Sequence, residues 1–465
     1  MLQLAKMLVL LLGFASFSFA GTGPVSYYGE LQVNGNKIVG SKTGTETPVQ
    51  VRGVSLGWSN TTYESSAFYN QVTVNAMIDD WKAEIIRVSY GENNSANETR
   101  IKTVIDAAIA KDVYVIIDWH SHNAESQGTN PAVFFGKMAR DYGSMDNVIF
   151  EIYNEPLAVS WATIRDYAIP VIDTIRKYSD NLILVGTPNW AQNIDAVTSN
   201  PISGKGSIAY VLHFYAYSHP LSGNTASGGG NTSRKFEAAA NMTLNANLPI
   251  FVSEYGTTHA DGGDPKKNNY NTHSAINTDA WHTYMDANKI SSCAWSVNDK
   301  YEGSAFFGTN SGTTSSANRF QQTPENFRDE TKMTESGKYI FNKLNHYATT
   351  APWLNPPQPS SSSETPSSSS VAEEPSSSSN DDGTPIITLP KTALLNSVAA
   401  SKNGINLAVK SNAVVEVFGL KGNSMRKFSF ANGVYSVSFS DLPKGLYIVK
   451  VSFGSEKMIL RVPVN

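Results

Sequence analysis

Eight short apolar runs, rich in β-branched and aromatic residues, alternate with segments of helical periodicity between residues 24 and 350. The runs are Val49–Leu56, Ile85–Tyr90, Val113–Trp119, Val148–Tyr153, Asn181–Gly186, Ala209–Tyr215, Pro249–Tyr255 and Ser292–Val297. Between two of them, Thr99–Lys111 places its apolar residues at the spacing of one helical face. Alternating strands and helices form parallel sheets, so eight units predict a closed (β/α)8 TIM barrel of the α/β class.

The composition changes abruptly after this region. Residues 351–385 contain tracts of consecutive serines and several prolines, which have no apolar surface to bury and predict a flexible linker. Residues 386–465 contain five short apolar runs separated by glycine-containing turns, which predict a small all-β sandwich. We therefore expect a barrel domain over residues 21–350, a linker over 351–385 and a C-terminal module over 386–465.

Residues 1–20 have the features of a secretory signal peptide. Lys6 precedes the apolar run Met7–Leu12, and Ser18-Phe19-Ala20 supplies a small-x-small cleavage pattern. The apolar run is too short for a stable transmembrane span, and no later stretch reaches the roughly 20 residues that a span needs. The sequence therefore predicts a secreted or cell-surface bacterial protein without a transmembrane segment.

Charge and cysteine content exclude several classes of function. With 36 Lys and Arg against 40 Asp and Glu, the formal charge of -4 offers no basic field for nucleic acid, so we expect no nucleic-acid partner. Cys293 is the single cysteine, which excludes an intramolecular disulfide and a cysteine-rich metal site. Its apolar neighbours indicate a buried position.

Polar or aromatic residues follow almost every run, and in a barrel the carboxyl ends of the strands carry the active site. In chain order these residues are Arg87, Asp118-Trp119-His120-Ser121-His122, Asn154-Glu155-Pro156, Asn189-Trp190, His213-Phe214-Tyr215, Ser253-Glu254-Tyr255 and Trp295 to Lys300. We expect these side chains to meet at one rim.

Glu155 and Glu254 are costly to bury unless each has a partner. Two carboxyl groups without a cofactor motif suit cleavage of a glycosidic bond, in which one acid protonates the leaving oxygen and the other attacks the anomeric carbon. Arg87, if adjacent to Glu254, would keep that carboxylate ionised, and a less solvated setting would keep Glu155 protonated. Flat faces for sugar rings would come from Trp58, Trp190 and Trp295.

The residues at the strand ends resemble glycoside hydrolase family 5 in type, order and placement. The resemblance covers about residues 24 to 350 and is carried by Arg87, His120, Asn154-Glu155-Pro156, His213-x-Tyr215, Glu254 and Trp295. The segment from Trp295 to Ala305 resembles the bacterial endoglucanase branch in particular. The resemblance implies a retaining endo-β-1,4-glucanase, or cellulase, that acts on β-glucan without cofactor or metal. Glu155 would be its acid/base and Glu254 its nucleophile.

The resemblance also implies supporting roles. Asn154 would contact the sugar 2-hydroxyl near the nucleophile, and His213 and Tyr215 would lie beside the two glutamates, with Tyr215 hydrogen-bonded to Glu254. The other implied sugar contacts are His120 and Trp295 at the attacked sugar, Trp190 at that sugar or its neighbour, and Lys300 and Glu302 further toward the non-reducing end.

One segment departs from the family pattern. Many members of this branch have a His-Gly pair after the first strand, where this chain has Ser55-Leu56-Gly57-Trp58-Ser59. Trp58 could cover the same subsite or serve only in packing.

Three other functions could use some of the same residues. Asp118 with His120-x-His122 looks like a metal-ligand cluster, but metal-dependent amidohydrolases place such a motif on the first strand, and His122 is more typical of a loop residue hydrogen-bonded locally. A catalytically inactive binding protein is not supported, because both glutamates are present. Mannan, xylan or mixed-linkage glucan remain alternative substrates for the same two glutamates.

The C-terminal module allows two interpretations. A carbohydrate-binding module is disfavoured because all 8 tryptophans lie at or before Trp353, so a flat indole platform is missing. Val414–Leu420 and Leu442–Val451 resemble the type IX secretion sorting domains that some Gram-negative bacteria attach to exported enzymes. We therefore favour a sorting domain that engages export machinery or the cell surface.

Overall fold

The computed structural model describes residues 23–60, 64–91, 94–222, 236–260, 273–308, 319–354, 397–401, 404–409, 413–419, 424–430, 433–439, 442–453 and 456–464. The predicted signal peptide and residues 355–385 of the predicted linker lie outside them. The chain divides into two compact units, residues 1–361 and 362–465, which are described separately.

A short helix and a β-hairpin open the first unit. Helix α1 is Pro24–Tyr28, and strands β1 (Leu31–Asn34) and β2 (Lys37–Gly40) pair antiparallel. Gly35 occupies the turn with a φ of +59°, a conformation that favours glycine. Leu31 and Ile38 pack with the first residues of several barrel strands, Ile85 and Tyr114 among them. The hairpin therefore covers the N-terminal end of the barrel.

Eight parallel strands form the barrel. They are β3 (Arg52–Leu56), β4 (Ile85–Tyr90), β5 (Tyr114–Trp119), β6 (Val148–Glu151), β7 (Ile183–Val185), β8 (Ile208–Tyr215), β9 (Ile250–Gly256) and β10 (Ser292–Val297). Each strand pairs with the next along the chain, and β10 pairs with β3 to close the barrel. The predicted TIM barrel is confirmed.

Helices surround this barrel. They are α2 (Gln71–Asp79), α3 (Ser95–Ala110), α4 (Asn130–Tyr142), α5 (Trp161–Ile175), α6 (Pro188–Ala191), α7 (Phe236–Asn245), α8 (Ala275–Asn288), α9 (Pro324–Arg328) and α10 (Glu335–Ala348). Helix α3 begins after Asn94, whose side chain accepts a hydrogen bond from the backbone N–H of Asn97. Its residues Ile101, Val104 and Ile105 are buried, as the periodicity predicts. None of the described helices is both long and apolar enough to cross a bilayer.

The second unit contains two antiparallel sheets. Its strands are β11 (Ser397–Ser401), β12 (Gly404–Val409), β13 (Ala413–Gly419), β14 (Ser424–Phe430), β15 (Gly433–Ser438), β16 (Gly445–Phe453) and β17 (Glu456–Val464). The sheet orders are β11-β12-β15 and β14-β13-β16-β17. Leu407 of the first sheet and Val415 and Val451 of the second share one apolar core, which confirms the predicted sandwich. Strand β14 was not predicted, because this edge strand exposes Arg426 and Lys427 and has no continuous apolar run.

Candidate active site

A cleft of about 340 Å³ lies at the carboxyl ends of the barrel strands. It is lined by Gly57, Trp58, Ser65, His120, His122, Glu155, Tyr215, Glu254, Trp295, Asn298, Lys300 and Glu302. Eight of the twelve predicted site residues are in this lining. Arg87 and His213 contact the lining residues Glu254 and Glu155, and the Asn154 side chain contacts Arg87, so that only Trp190 lies apart from the group.

Arg87, on β4, is fully buried beneath the cleft and binds three carboxylates. Its Nε lies 2.7 Å from Glu151 Oε2, its Nη1 lies 2.9 Å from Glu254 Oε2, and its Nη2 lies 2.9 Å from Asp118 Oδ2. Nη2 also donates to Asn154 Oδ1 at 2.6 Å, which orients that amide. Burial opposes the charge of the guanidinium, but the three carboxylates raise the pKa of Arg87 well above its usual value.

The three carboxylates share this single cation unequally. Burial raises the pKa of Asp118 well above its usual value, although Arg87 opposes the shift. Burial also disfavours the charge of Glu151, but Arg87 and His213 outweigh it and lower the pKa of Glu151 to about 2. Glu151 is therefore an anion at neutral pH.

Glu254, on β9, is held by two donors that leave it little freedom. Arg87 binds its Oε2, and the Tyr215 hydroxyl donates to its Oε1 at 2.8 Å. Burial and the neighbouring Glu254 raise the pKa of Tyr215 well above its usual value, so the phenol remains a donor. Gly256 lets the Tyr215 ring approach, because a Cβ there would lie 2.3 Å from a ring carbon. The predicted contacts of Arg87 and Tyr215 with Glu254 are confirmed.

Glu155, in the loop after β6, has an imidazole on each oxygen. Its Oε1 lies 3.0 Å from His213 Nδ1, and its Oε2 lies 3.1 Å from His122 Nε2. Burial raises the pKa of Glu155, but hydrogen bonds from His122 and His213 outweigh it and lower that pKa below its usual value. The expectation that a poorly solvated setting keeps Glu155 protonated is therefore wrong, because two N–H donors stabilise its anion.

The proton in this pair resides mainly on His213. Burial lowers the pKa of this imidazole, but its contacts with Glu151 and Glu155 prevail and raise it to about 9. His213 on β8 thus lies beside Glu155, as expected, and carries the charge complementary to it.

The histidines of the His120-x-His122 motif bind different carboxylates. His120 Nδ1 lies 2.6 Å from Asp118 Oδ2, and burial lowers the pKa of His120 to about 3, so this imidazole is neutral. His122 reaches Glu155, 33 residues away, which corrects the expectation of a local hydrogen bond.

Two of the three tryptophans proposed as sugar platforms line the cleft. Trp295 is parallel to the His120 ring at a centroid distance of 5.5 Å, and Trp58 meets that ring edge-on at 4.4 Å. Trp190 is 43% exposed and lies outside the lining, although its backbone N–H donates to Pro156 O at 2.8 Å. The ammonium group of Lys300 lies 2.8 Å from Glu302, and both line the cleft. The sugar contacts of these residues stay predictions.

Sequence reasoning missed Glu151 and the role of Ser253, which it named only as one of the strand-end residues. Glu151 binds Arg87, and the Ser253 hydroxyl donates to Glu151 Oε1 at 2.7 Å. Glu151 gave a usable signal, because a carboxylate that ends an apolar parallel strand is costly to bury unless it has a partner. Ser253 gave none, since serine in a strand is unremarkable.

The two glutamates of the cleft are close neighbours. One carboxylate oxygen of Glu155, one of Glu254 and a ring nitrogen of His213 all lie within 4.8 Å of one another. The two carboxylates and the imidazole therefore face one small region of the cleft.

Known proteins share both parts of this chain. Residues 42–301 match the cellulase family (glycosyl hydrolase family 5), and residues 401–465 match the secretion system C-terminal sorting domain. The second match confirms the sorting-domain interpretation of the C-terminal module and the expectation of a secreted protein.

Similar curated proteins are bacterial endoglucanases. Endoglucanase Z of Dickeya dadantii (strain 3937) is 40% identical over 320 residues, which cover 67% of this chain and 65% of that protein. Endoglucanase A of Butyrivibrio fibrisolvens is 35% identical over 298 residues, which cover 60% of this chain and 63% of that protein. The chain thus spans a little under two thirds of the length of these relatives.

Solved structures resemble the barrel over most of their length. The catalytic domain of Thermobifida fusca endoglucanase Cel5A is 28% identical with a TM-score of 0.57, covering 70% of this chain and 99% of that domain. The alkaline cellulase K catalytic domain is 27% identical with a TM-score of 0.60, covering 70% of this chain and 96% of that domain. With its barrel, its paired glutamates and these matches, the chain belongs to the cellulase family, glycosyl hydrolase family 5.

Proposed function

We propose that this protein is a secreted endo-β-1,4-glucanase that hydrolyses internal bonds of β-glucan with retention of configuration. The observation that carries the proposal is the separation of the two glutamates, whose nearest oxygens lie within 4.8 Å. Retaining glycosidases place their carboxyl groups about 5–5.5 Å apart, whereas inverting enzymes need about 6.5–9.5 Å for an intervening water. The endoglucanase names of the relatives support the substrate and the endo mode of attack.

Glu254 is the nucleophile in this proposal. Arg87 and Tyr215 donate hydrogen bonds to its two oxygens and fix its direction. A Glu254 oxygen forms a bond to the anomeric carbon while the bond from that carbon to the glycosidic oxygen breaks. The electron pair of the broken bond stays on the departing oxygen, which takes a proton from Glu155 as His213 Nδ1 passes the proton of the pair to that carboxylate. A covalent glycosyl-enzyme intermediate results.

Glu155 reverses its role in the second step. As an anion between His122 and His213, it removes a proton from water, whose oxygen attacks the anomeric carbon and releases Glu254. Trp58, Trp295 and His120 surround the reacting sugar with aromatic faces, and Asn154, oriented by Arg87, serves its 2-hydroxyl. Trp190, Lys300 and Glu302 are proposed to bind sugars further along the cleft.

The C-terminal module would act in export rather than in catalysis. Its match to secretion sorting domains supports a partner in the secretion machinery or an anchoring site at the cell surface. We propose no nucleic-acid partner and no cofactor for the hydrolytic step.

The test is the hydrolysis of soluble substituted cellulose and of an aryl cellobioside with an activated leaving group, by the full chain and by Glu155→Ala and Glu254→Ala. The intact protein should lower the viscosity of the cellulose derivative rapidly. Glu254→Ala should lose activity on both substrates. Glu155→Ala should lose activity on cellulose but keep the first step on the aryl substrate, whose leaving group needs no proton.

Added azide sharpens the assignment, because it can replace the missing carboxylate. Glu155→Ala should yield the β-glycosyl azide, and Glu254→Ala the α-glycosyl azide, since each azide attacks from the side left open. Asp141→Ala, on the outer helix α4, is the control and should behave as the intact protein. Activity confined to mannan, xylan or mixed-linkage glucan would overturn the substrate, and unchanged activity of either glutamate variant would overturn the mechanism.

A further inference from the structure

A chain of buried hydrogen bonds leads away from Glu155 into the barrel. Glu155 Oε1 lies 3.0 Å from His213 Nδ1, and His213 Nε2 lies 3.0 Å from Ser253 Oγ. Ser253 Oγ lies 2.7 Å from Glu151 Oε1. His213, Ser253 and Glu151 are each almost completely buried, so water does not compete for these bonds.

The direction of each bond follows from the number of hydrogens available. Both oxygens of Glu151 accept from Arg87, Oε2 at 2.7 Å and Oε1 at 3.1 Å, so this carboxylate is an anion that can only accept. The single hydroxyl hydrogen of Ser253 must therefore point to Glu151. Ser253 Oγ can then meet His213 Nε2 only as an acceptor, and Nε2 must carry a hydrogen.

This leaves His213 Nδ1 facing Glu155 across 3.0 Å. If one proton lies between them, either Nδ1 donates to the Glu155 anion or protonated Glu155 donates to Nδ1. If that proton is lost, two lone pairs face each other, because Nε2 keeps its hydrogen. Loss of the proton is therefore opposed by repulsion that the other tautomer would avoid.

We propose that Ser253 and Glu151 are positioning residues that fix the tautomer of His213, and thereby retain the proton that the Glu155–His213 pair supplies to the departing sugar. This inference rests on the proposed role of Glu155 and adds two residues that do not touch the substrate. The Ser253 hydroxyl can only accept a hydrogen bond from His213, because it donates its single hydrogen to Glu151, which Arg87 binds.

The pKa of His213 also depends on the charged groups around it. They are Glu151 and Glu155 from β6 and its loop, Glu254 from β9 and Asp118 from β5. Arg87 from β4, His122 from the loop after β5 and the Tyr215 hydroxyl on β8 bind these carboxylates in turn. The carboxylates raise the pKa of His213 to about 9 against the effect of burial. Removing the hydroxyl of Ser253 changes none of these charges.

The test compares the pH dependence of kcat/KM on soluble cellulose for the full chain and for Ser253→Ala. Without Ser253 Oγ, neutral His213 can move its hydrogen to Nδ1 and donate it to ionised Glu155. The Glu155–His213 pair then loses its proton more readily. The basic limb of the kcat/KM profile should therefore move about one pH unit toward lower pH. Ser253→Thr retains a hydroxyl and should restore the limb.

Ser89→Ala is the matched control, because Ser89 is an equally buried strand serine whose hydroxyl donates to the backbone carbonyl of Leu56. It should leave the basic limb in place even if the protein becomes less stable. An unchanged limb in Ser253→Ala, or the same shift in Ser89→Ala, would overturn the proposal.

Nitrogen chemical shifts of His213 test the tautomer without reference to activity, with His213→Gln used for assignment. Above the basic limb, neutral His213 should carry its hydrogen on Nε2 in the intact chain and on Nδ1 in Ser253→Ala. An Nδ1–H tautomer in the intact chain would refute the proposal that Ser253 and Glu151 fix the tautomer of His213. The Nε2–H tautomer without cellulose hydrolysis would instead refute only the proposed function.

Discussion

The two glutamates of the cleft have oxygens within 4.8 Å of each other, yet their partners differ in kind. Glu254 accepts from Arg87 and from the Tyr215 hydroxyl, neither of which gains or loses a proton near neutral pH. Glu155 is bound by His213 and His122, and the pKa of both imidazoles is raised, that of His213 to about 9. One carboxylate therefore has permanent donors and the other has partners that exchange protons.

This difference matches what the two steps of a retaining mechanism demand. A nucleophile must stay ionised over the whole working range of pH, which a fixed cation ensures. An acid/base must release a proton in one step and recover it in the next, which a carboxylate coupled to an imidazole can do. Because burial acts on both glutamates, the chemistry of the donors distinguishes their roles.

Replacing Arg87 should have the largest effect. Arg87→Ala removes the cation that Asp118, Glu151 and Glu254 share and leaves three buried carboxylates with weaker partners. We expect the free energy of unfolding to fall by about 3–5 kcal/mol. Arg87→Lys keeps the charge but cannot reproduce the forked contacts and should lose most of kcat/KM. Denaturant unfolding and kcat/KM on soluble cellulose measure the two effects.

Arg52→Ala provides the matched control at the other end of the barrel. Arg52 pairs with Asp286 at 2.9 Å and lies over the Tyr347 ring. It is the first residue of β3, whereas the cleft lies at the carboxyl ends of the strands. It should reduce stability while kcat/KM of the folded protein stays within about twofold. An equal loss of kcat/KM in Arg87→Ala and Arg52→Ala would mean that Arg87 affects activity only through the stability of the barrel.

Tyr215→Phe should have a smaller effect, confined to the Glu254 side. It removes the 2.8 Å hydrogen bond to Glu254 Oε1 without changing any charge. A hydrogen bond to a charged group is worth about 1.5–3 kcal/mol, so kcat/KM should fall about 10- to 100-fold with the basic limb unmoved. An activated aryl cellobioside, which needs no acid, should show the same loss.

Tyr167→Phe is the control for this loss, since the hydroxyl of the half-buried Tyr167 donates to a backbone carbonyl, that of Ile152. It should leave kcat/KM on the aryl substrate essentially unchanged. A loss for Tyr215→Phe on cellulose alone would indicate that the phenol serves the acid rather than the nucleophile.

The barrel and the membership of Glu155 and Glu254 in one site were predictable because strand ends in a parallel barrel converge on one rim. The N-terminal hairpin was missed although Asn34-Gly35 between two apolar pairs is a usable turn signal. Arg87 was predictable as the partner of Glu254. Its further contacts with Asp118 and Glu151 depend on which faces of three neighbouring strands point into the barrel.

The protonation of Glu155 was not predictable from burial. The protonation state of Glu155 depends on His122, whose position follows from the path of the loop after β5. It also depends on the hydrogen bond from Ser253 to Glu151 behind His213. Sequence spacing gives no measure of loop paths or of hydrogen-bond direction. These are the features that separate the roles of two otherwise similar glutamates.

The smallest expected effect is that of His122→Ala on the Glu155 side. His122 is 42% exposed at its side chain, and its hydrogen bond is the main influence that lowers the pKa of Glu155 against burial. Removing it raises the pKa of Glu155, so the proton is retained to higher pH and the basic limb of kcat/KM should move upward. Because solvent screens an exposed pair, we expect less than one pH unit and less than a tenfold change at the optimum.

This upward shift is opposite in sign to that expected for Ser253→Ala, although both variants act on the same pair. His122 stabilises the anion of Glu155. Ser253 instead holds the hydrogen of neutral His213 on Nε2, which leaves the Nδ1 lone pair facing that anion. The acid limb of the kcat/KM profile should stay in place in both variants, because the hydrogen bonds of both residues lie on the Glu155 side of the cleft. A shift of both limbs in either variant would mean that the two glutamates titrate as one unit, and the contrast between their partners would then not separate their roles.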